Sequence, residues 1–376
     1  MPRLLAAWRR ARRSPAGPPD RLAPAELREV ARAVQQLSQG LTRERSLAGS
    51  HYMDEPALLG AYLLFFWPVS YAQARQVLGE LPHLSGAALD LASGPAPLAF
   101  AALDAGVREV TVADRSATAL AAARELAAEA GEALRIRQVD LAGAKPGQSD
   151  VGGPFDLISI GHGLNELYAS RLDAPERRAA MMDSWMGLLK EGGSLLILEP
   201  ALRDTSRNLL RVRDLLVQRG RVVRAPCLYR GNCPALIKES DWCHAERSWQ
   251  RPPLVEMIAA AAGLRKESLK MSYLLMASPN STWNEPPQGR AFRIVSEPLQ
   301  GKGRLRYMGC GPEGRIGLAL QEKHRTEQNA AFFRLQRGDV IVLTEADARG
   351  DGLALSQRSE VRIVSPAGRP VGSRSS

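Results

Sequence analysis

The chain has four cysteines in 376 residues, 5% aromatics, little lysine and no long uninterrupted apolar run. So few cysteines exclude a disulfide scaffold, because such scaffolds are cysteine-dense and belong to secreted chains. A secretory leader is not expected, since Arg9, Arg10, Arg12 and Arg13 break up any apolar signal core. The longest apolar stretch, Ala57 to Val69, contains Pro68 and falls short of the roughly 20 residues a spanning helix needs. No membrane is therefore expected. No internal repeat is evident, and G-x-G-x-x-G, the dinucleotide fingerprint, is missing.

Acidic residues are in deficit: 50 Lys plus Arg face 40 Asp plus Glu, a net charge of +10 that favours polyanionic partners. Part of the excess lies in the first nineteen residues, which hold five arginines and no acid. With Pro15, Pro18 and Pro19 against a long helix, residues 1–22 read as a basic flexible arm or a mitochondrial transit segment. Cytoplasm is the default compartment, and the mitochondrion if the source is eukaryotic. A second concentration runs from Leu202 to Arg230, with eight arginines against Asp204 and Asp214. Arg203, Arg207 and Arg211 recur every four residues, a spacing that aligns them along one helical face as a rail for phosphates, with Arg224 and Arg230 beyond it.

Apolar periodicity predicts helices over residues 23–84. Strands are then predicted at Ala87 to Ala92, Glu109 to Ala113, Leu134 to Val139, Phe155 to Ile160 and Ser194 to Leu198. Helices are expected at Pro97 to Ala105, Ala117 to Ala130 and Pro175 to Leu189, the last closed by Lys190-Glu-Gly-Gly. This alternation predicts an α/β fold with a doubly wound parallel sheet, a domain over residues 85–278. It is interrupted by a cysteine-rich insertion at 201–252 with a helix from Asp204 to Arg219. A linker, Ser278 to Gly289, leads to a small β-barrel-like module over 290–366 and a tail at 367–376.

Leu89-Asp-Leu-Ala-Ser-Gly-Pro-Ala-Pro joins the first strand to the first helix, where small residues admit a ligand to the backbone and helix N-terminus. Asp114 closes the second strand, placed to accept ribose hydroxyls, and Asp140 ends the third, near an adenine edge. Asp90, Ser93, Gly94, Asp114 and Asp140 are thus candidate contacts for S-adenosylmethionine, preferred over NAD because the loop has one glycine. Ala92 and Ala96 add a Cβ where backbone must pass close to a ligand or take positive φ. Gly161-His-Gly-Leu-Asn-Glu-Leu follows the fourth strand at the usual catalytic position. The Asn-Pro-Pro-Tyr motif of amino methyltransferases is missing, and no catalytic base is assigned.

Three cysteines crowd into Pro226-Cys-Leu-Tyr-Arg-Gly-Asn-Cys-Pro-Ala-Leu-Ile-Lys-Glu-Ser-Asp-Trp-Cys-His, and Cys310 follows in Arg306-Tyr-Met-Gly-Cys-Gly-Pro. A polar, proline-bounded loop suits metal ligation better than core packing. Zinc is served by four thiolates, with His244 as a substitute ligand, but its sites favour tight cysteine pairs. Wide spacing with Cys233-Pro234 is at home around an iron–sulfur cluster, and spacing alone leaves both open.

The motifs Leu89-Asp-Leu-Ala-Ser-Gly-Pro, Leu164-Asn-Glu-Leu, Leu198-Glu-Pro, Ala225-Pro-Cys, Asn232-Cys-Pro, Asp241-Trp-Cys-His and Met271-Ser-Tyr-Leu resemble a known family. It is that of the mitochondrial methyltransferase-like proteins that help assemble the small ribosomal subunit (methyltransferase-like protein seventeen, with its fungal and bacterial relatives). The resemblance covers roughly Tyr62 to Val342. It implies a class I methyltransferase fold and a [4Fe–4S] cluster on Cys227, Cys233, Cys243 and Cys310. It also implies a role on small-subunit ribosomal RNA, beside ribosomal proteins. The expected protein is a monomeric assembly or translation factor, the alternative an active methyltransferase of ribosomal RNA. A radical enzyme is disfavoured, because its cluster needs an iron left open by only three cysteines.

Overall fold

The computed structural model describes residues 1–13, 17–278 and 289–370. The predicted linker lies almost wholly outside the described residues, as does the end of the tail.

Four of the predicted strands form within one residue of expectation, and of these β1 (Ala87–Leu91), β2 (Glu109–Asp114) and β3 (Leu134–Gln138) pair in parallel. β4 (Phe155–Gly161) and β5 (Leu189–Pro200) continue the parallel set on the other side of β1. β5 begins earlier than expected. Lys190-Glu-Gly-Gly belongs to this strand rather than to the preceding helix, because Leu189 already pairs with Phe155 across an irregular register. After β5 come β6 (Val222–Ala225), β7 (Ala245–Ser248) and β8 (Ser268–Ala277). The sheet order is β3-β2-β1-β4-β5-β8-β6, with β7 also on β8; β8 is antiparallel to β5, β6 and β7.

The short strands β6 and β7 carry no signal in the sequence, and they change the meaning of 201–252. Its helix packs Leu209, Val212 and Leu216 into the core on one face of the sheet, so it is a layer of the domain. Only the loop 226–244 between β6 and β7 is extra.

The predicted flexible arm is instead a docked helix, α1 (Pro2–Ala11), with Leu4, Leu5, Ala7 and Trp8 buried. Three arginines in and just after it are paired: Arg9 with Glu26 at 2.9 Å, Arg10 with Glu125 at 2.6 Å and Arg12 with Glu29 at 2.7 Å. Counting arginines as free charge hid the apolar stripe between them. α2 (Pro24–Ser38) follows, then α3 (Pro56–Ala61) and α4 (Trp67–Leu78), which join through a π-helical stretch into one 23-residue helix. By length and composition alone this helix could cross a bilayer, contrary to the short run expected, but 72% of its apolar window is buried inside the protein. α5 (Pro97–Leu103), α6 (Ala117–Ala130), α7 (Ala174–Trp185), α8 (Arg203–Gln218) and α9 (Pro253–Ala261) complete the helices of the described residues.

The C-terminal strands are β9 (Arg290–Ile294), β10 (Leu299–Gly301), β11 (Arg304–Gly311), β12 (Gly314–Gln321), β13 (Val340–Arg349) and β14 (Gly352–Ser365). β9 pairs with both β13 and β11, which closes β9-β11-β12-β14-β13 into a barrel around Phe292, Tyr307, Leu318, Phe332 and Ile341. β11, which carries Cys310, escaped sequence reading although Arg304, Leu305, Arg306 and Tyr307 alternate exposed and buried.

Candidate functional site

Two sites lie at the carboxyl ends of the parallel strands and beside them. The first is a cleft of about 660 Å³, within the roughly 300–1,000 Å³ typical of small-molecule sites. Gly94, Asp114 and Asp140 line it; Asp90 and Ser93 are buried beneath. The Asp114 carboxylate accepts the Gly94 N–H at 2.7 Å and the Ser116 N–H at 2.8 Å, which clamps the loop to the end of β2. A carboxylate offers about four lone pairs, so acceptor capacity toward hydroxyls remains. Ala92 and Ala96 take the left-handed φ of 48° and 64° anticipated for glycine-like positions. Asp140 is exposed at the rim, held by Ala142 N–H at 3.0 Å.

The motif after β4 is tied inward. Asn165 N–H donates to Glu199 at 3.1 Å, the Asn165 amide donates to His162 O at 2.6 Å, and Arg178 donates to Asn165 O at 2.8 Å. Glu166 accepts from Gly49 N–H and Tyr52 OH, both at 3.2 Å. Tyr52, Arg45, Gln73 and Lys266 also line the cleft and had no recognisable sequence signal, since they arrive from the N-terminal helices and from the turn before β8. Burial pushes Asp90, Glu166 and Glu199 each up to about 7. Burial, with Lys266 nearby, holds His162 down to about 4, so its ring is neutral against Gln73 Oε1 at 3.0 Å.

Carboxyls held this high keep their protons longer in the folded than in the unfolded chain. The folded state then binds more protons between the two values, and stability falls as pH rises from about 4.5 through about 7. Glu199→Gln retains an oxygen for Asn165 N–H and removes the buried charge. We expect it to match wild type at about pH 5 and to exceed it by on the order of 2 kcal/mol at about pH 8. Urea unfolding at the two pH values checks this, and an unchanged pH slope in the variant refutes it.

The second site is a cavity lined by all four cysteines, three from the β6–β7 loop and Cys310 from the barrel. The loop has little regular backbone bonding, and α8 holds it with side chains. Arg207 donates to the carbonyls of Ala235 at 3.1 Å, Lys238 at 2.8 Å and Asp241 at 2.5 Å. The Arg213 guanidinium, fully buried, donates to Tyr229 O and Gly231 O, and Asp214 accepts Cys233 N–H at 2.9 Å. Ser272 OH donates to Cys243 O at 3.1 Å. Of the predicted phosphate rail, the middle member is thus turned elsewhere. Arg207 anchors the cysteine loop, because four-residue spacing fixes a direction on the helix but not what lies opposite. Arg203, 3.5 Å from Asp204, and Arg211 are exposed; half-buried Arg224 and exposed Arg230 have partners within the protein.

On the barrel side Cys310 stands in register between Arg315 of β12 and Arg293 of β9. Arg315 lies 3.4 Å from Asp241, and Arg337 donates to the His244 ring, which stacks on Trp242. Arg293 Nε and Nη2, Arg315 Nε and Arg213 Nε are buried without hydrogen-bond partners. Burial, then the neighbouring Cys227, pushes the thiols up: Cys233 to about 12, Cys243 to about 11, and Cys310 in the same direction. Four thiols that influence one another, ringed by unpaired guanidinium N–H groups, fit an anionic thiolate centre. Among the described residues no three His, Cys, Asp or Glu groups are gathered as a site for a single metal ion.

The parallel sheet with β8 inserted antiparallel between β5 and β6, and the cleft over β1, β2 and β4, define a class I methyltransferase-like protein. The chain belongs to the family described as mitochondrial small ribosomal subunit Rsm22, whose model matches residues 59–341. It is thus a methyltransferase-fold protein related to the small ribosomal subunit. A search of the curated proteins found no match. Solved structures similar to it include a methyltransferase from Pyrococcus furiosus, 12% identical over 56% of this chain and 83% of that one, TM-score 0.37. A SAM-dependent methyltransferase from Leishmania major is 14% identical over 67% and 85%, TM-score 0.38. A putative RNA methyltransferase from Pyrococcus horikoshii is 12% identical over 67% and 96%, TM-score 0.32.

Proposed function

We propose that this protein is an assembly or translation factor that binds small-subunit ribosomal RNA beside ribosomal proteins. In this reading it acts as a monomer, in the cytoplasm or in the mitochondrion of a eukaryote. Its methyltransferase fold serves as scaffold, and Cys227, Cys233, Cys243 and Cys310 hold a [4Fe–4S] cluster. The observation that carries the cluster is the shared cavity. Four cysteine thiolates are the usual ligand set of such a cluster. The buried arginines would offset the cluster's negative charge and donate to its sulfurs. Bound there, it would join barrel and methyltransferase-like domain as structural metal sites join their ligands.

In the cleft, Gly94, Asp114 and Asp140 would hold S-adenosylmethionine, which supplies an electrophilic methyl group when bound. A second reading, methylation of ribosomal RNA, is favoured by the open cleft beside His162 and Asn165. Positioning of the acceptor would then be the main requirement. Loss of one methyl group from small-subunit RNA in a deletion strain would establish it.

Anaerobic purification should yield a brown protein containing iron and sulfide, and a colourless zinc-loaded protein would overturn the cluster. The full chain should sediment with small ribosomal subunits at low salt and dissociate as salt rises, since phosphate contacts release counterions. Failure to co-sediment at low salt would overturn the ribosomal assignment.

A further inference from the structure

The barrel has a specific connectivity. In chain order its five long strands are β9, β11, β12, β13 and β14, and their order around the barrel is first, second, third, fifth, fourth, closing on the first. The third and fifth are parallel, every other pair is antiparallel, and helical turns at Glu322–His324 and Ala330–Arg334 lie between the third and fourth. This is the OB arrangement, whose ligand face is the outer surface of the second and third strands with the loops beside it.

On β11 and β12 the outward positions are Arg304, Arg306, Met308 and Cys310 opposite Gln321, Ala319, Gly317 and Arg315. They carry three arginines and no carboxylate. The Cys310 and Arg315 end is taken up by the cysteine cavity, so the free part of the face is the half around Arg304 and Arg306. Both side chains are exposed and make no ion pair with any described residue, unlike Arg9, Arg10 and Arg12. Beside Arg306 in register stands Leu299 of β10, 45% exposed, and on the other side of β11 the floor is low at Gly317, opposite Met308, with open space above it. The turn Pro234–Leu236 of the cysteine loop packs against β12. It is followed by Ile237, 81% exposed, and the exposed Lys238.

We infer that this face, from Arg304 and Arg306 across to Ile237 and Lys238, binds a single-stranded segment of RNA. Charge selects a polyanion, and a shallow track with alternating cations and exposed apolar side chains suits unstacked bases better than a duplex. Guanidinium planes supply the stacking surface, since no aromatic side chain occupies these outward positions and Tyr307 points into the barrel. Recognition is therefore dominated by phosphate contacts, tolerant of sequence and steep in salt. This rests on the ribosomal reading above and adds to it the surface and the form of RNA.

The test uses the full chain and a fluorescent single-stranded RNA of about 12 nucleotides, against the same sequence as a duplex. Wild type should prefer the single strand. Arg304→Glu/Arg306→Glu should weaken binding by about tenfold or more and flatten the salt dependence by about 0.7 in slope for each phosphate that is no longer neutralised. Its thermal midpoint should stay near wild type, as neither arginine is paired. Crosslinks should map to residues 299–321 and to Ile237 and Lys238. A double variant that binds like wild type, or a wild type that prefers the duplex, overturns the assignment. If wild type then still co-sediments with small subunits, the ribosomal reading survives without this face. If it neither co-sediments nor binds the strand, both fall.

Discussion

Glu80→Ala is expected to lower stability by about 3–5 kcal/mol, the range for breaking a buried ion pair from one side. Glu80 is 1% exposed and follows α4. Its carboxylate accepts from Arg247 at 3.1 Å and from Tyr273 OH at 2.6 Å, and lies 3.1 Å from the Arg293 guanidinium. These partners come from β7, β8 and the barrel strand β9, so one carboxylate joins the N-terminal helices, the main sheet and the barrel. Removing it leaves two buried guanidinium groups without their counter-charge. Arg293 has the further burden of standing beside Cys310, so loosening it loosens the cysteine cavity. Glu80→Gln, which keeps an acceptor but no charge, should fall between wild type and alanine. Urea unfolding of the three proteins gives the comparison, and a loss under about 1 kcal/mol for alanine would mean the network is dispensable.

If the proposed cluster is bound, Cys310→Ser should empty its site while the three loop cysteines remain. Serine is nearly isosteric but a poor ligand for iron, and the loop is held by Arg207, Arg213 and Asp214 of α8 and by Arg315 and Arg337 of the barrel, none of which depends on the Cys310 thiol. The loop should therefore keep its shape, and the loss should appear as missing iron and sulfide with a lower thermal midpoint of the barrel. Cys227→Ser should give the same loss from the other side of the cavity. Full iron content in Cys310→Ser would show that the barrel does not contribute a ligand, and the proposed bridge between the two parts would be wrong.

Both predictions concern groups that meet from segments far apart in sequence, and that is where sequence reading lost its grip. The alternation of strands and helices from Ala87 to Leu198, the small-residue loop at Ala92 to Ala96 and the clustering of Cys227, Cys233 and Cys243 were legible because each is written in local periodicity or spacing. The left-handed φ values at Ala92 and Ala96 followed from the same local reading. By contrast, β6 and β7 are four residues each, too short for any period, and exist because β8 offers them an edge.

The arginines show the limit most plainly. Composition made them one basic excess, yet tertiary structure divides them by what lies opposite. Arg9 closes α1 onto Glu26, Arg207 holds the cysteine loop, Arg293 is buried against Glu80, and Arg304 and Arg306 face solvent. By itself the amino-acid order determined the alternating elements from Ala87 to Leu198, the cleft at the strand ends and the cysteine inventory, since backbone periodicity and residue chemistry act over a few neighbours. Only the tertiary structure decided that Cys310 joins the other three and which charges stay free, because a guanidinium or a thiol takes its role from partners that packing brings from distant chain.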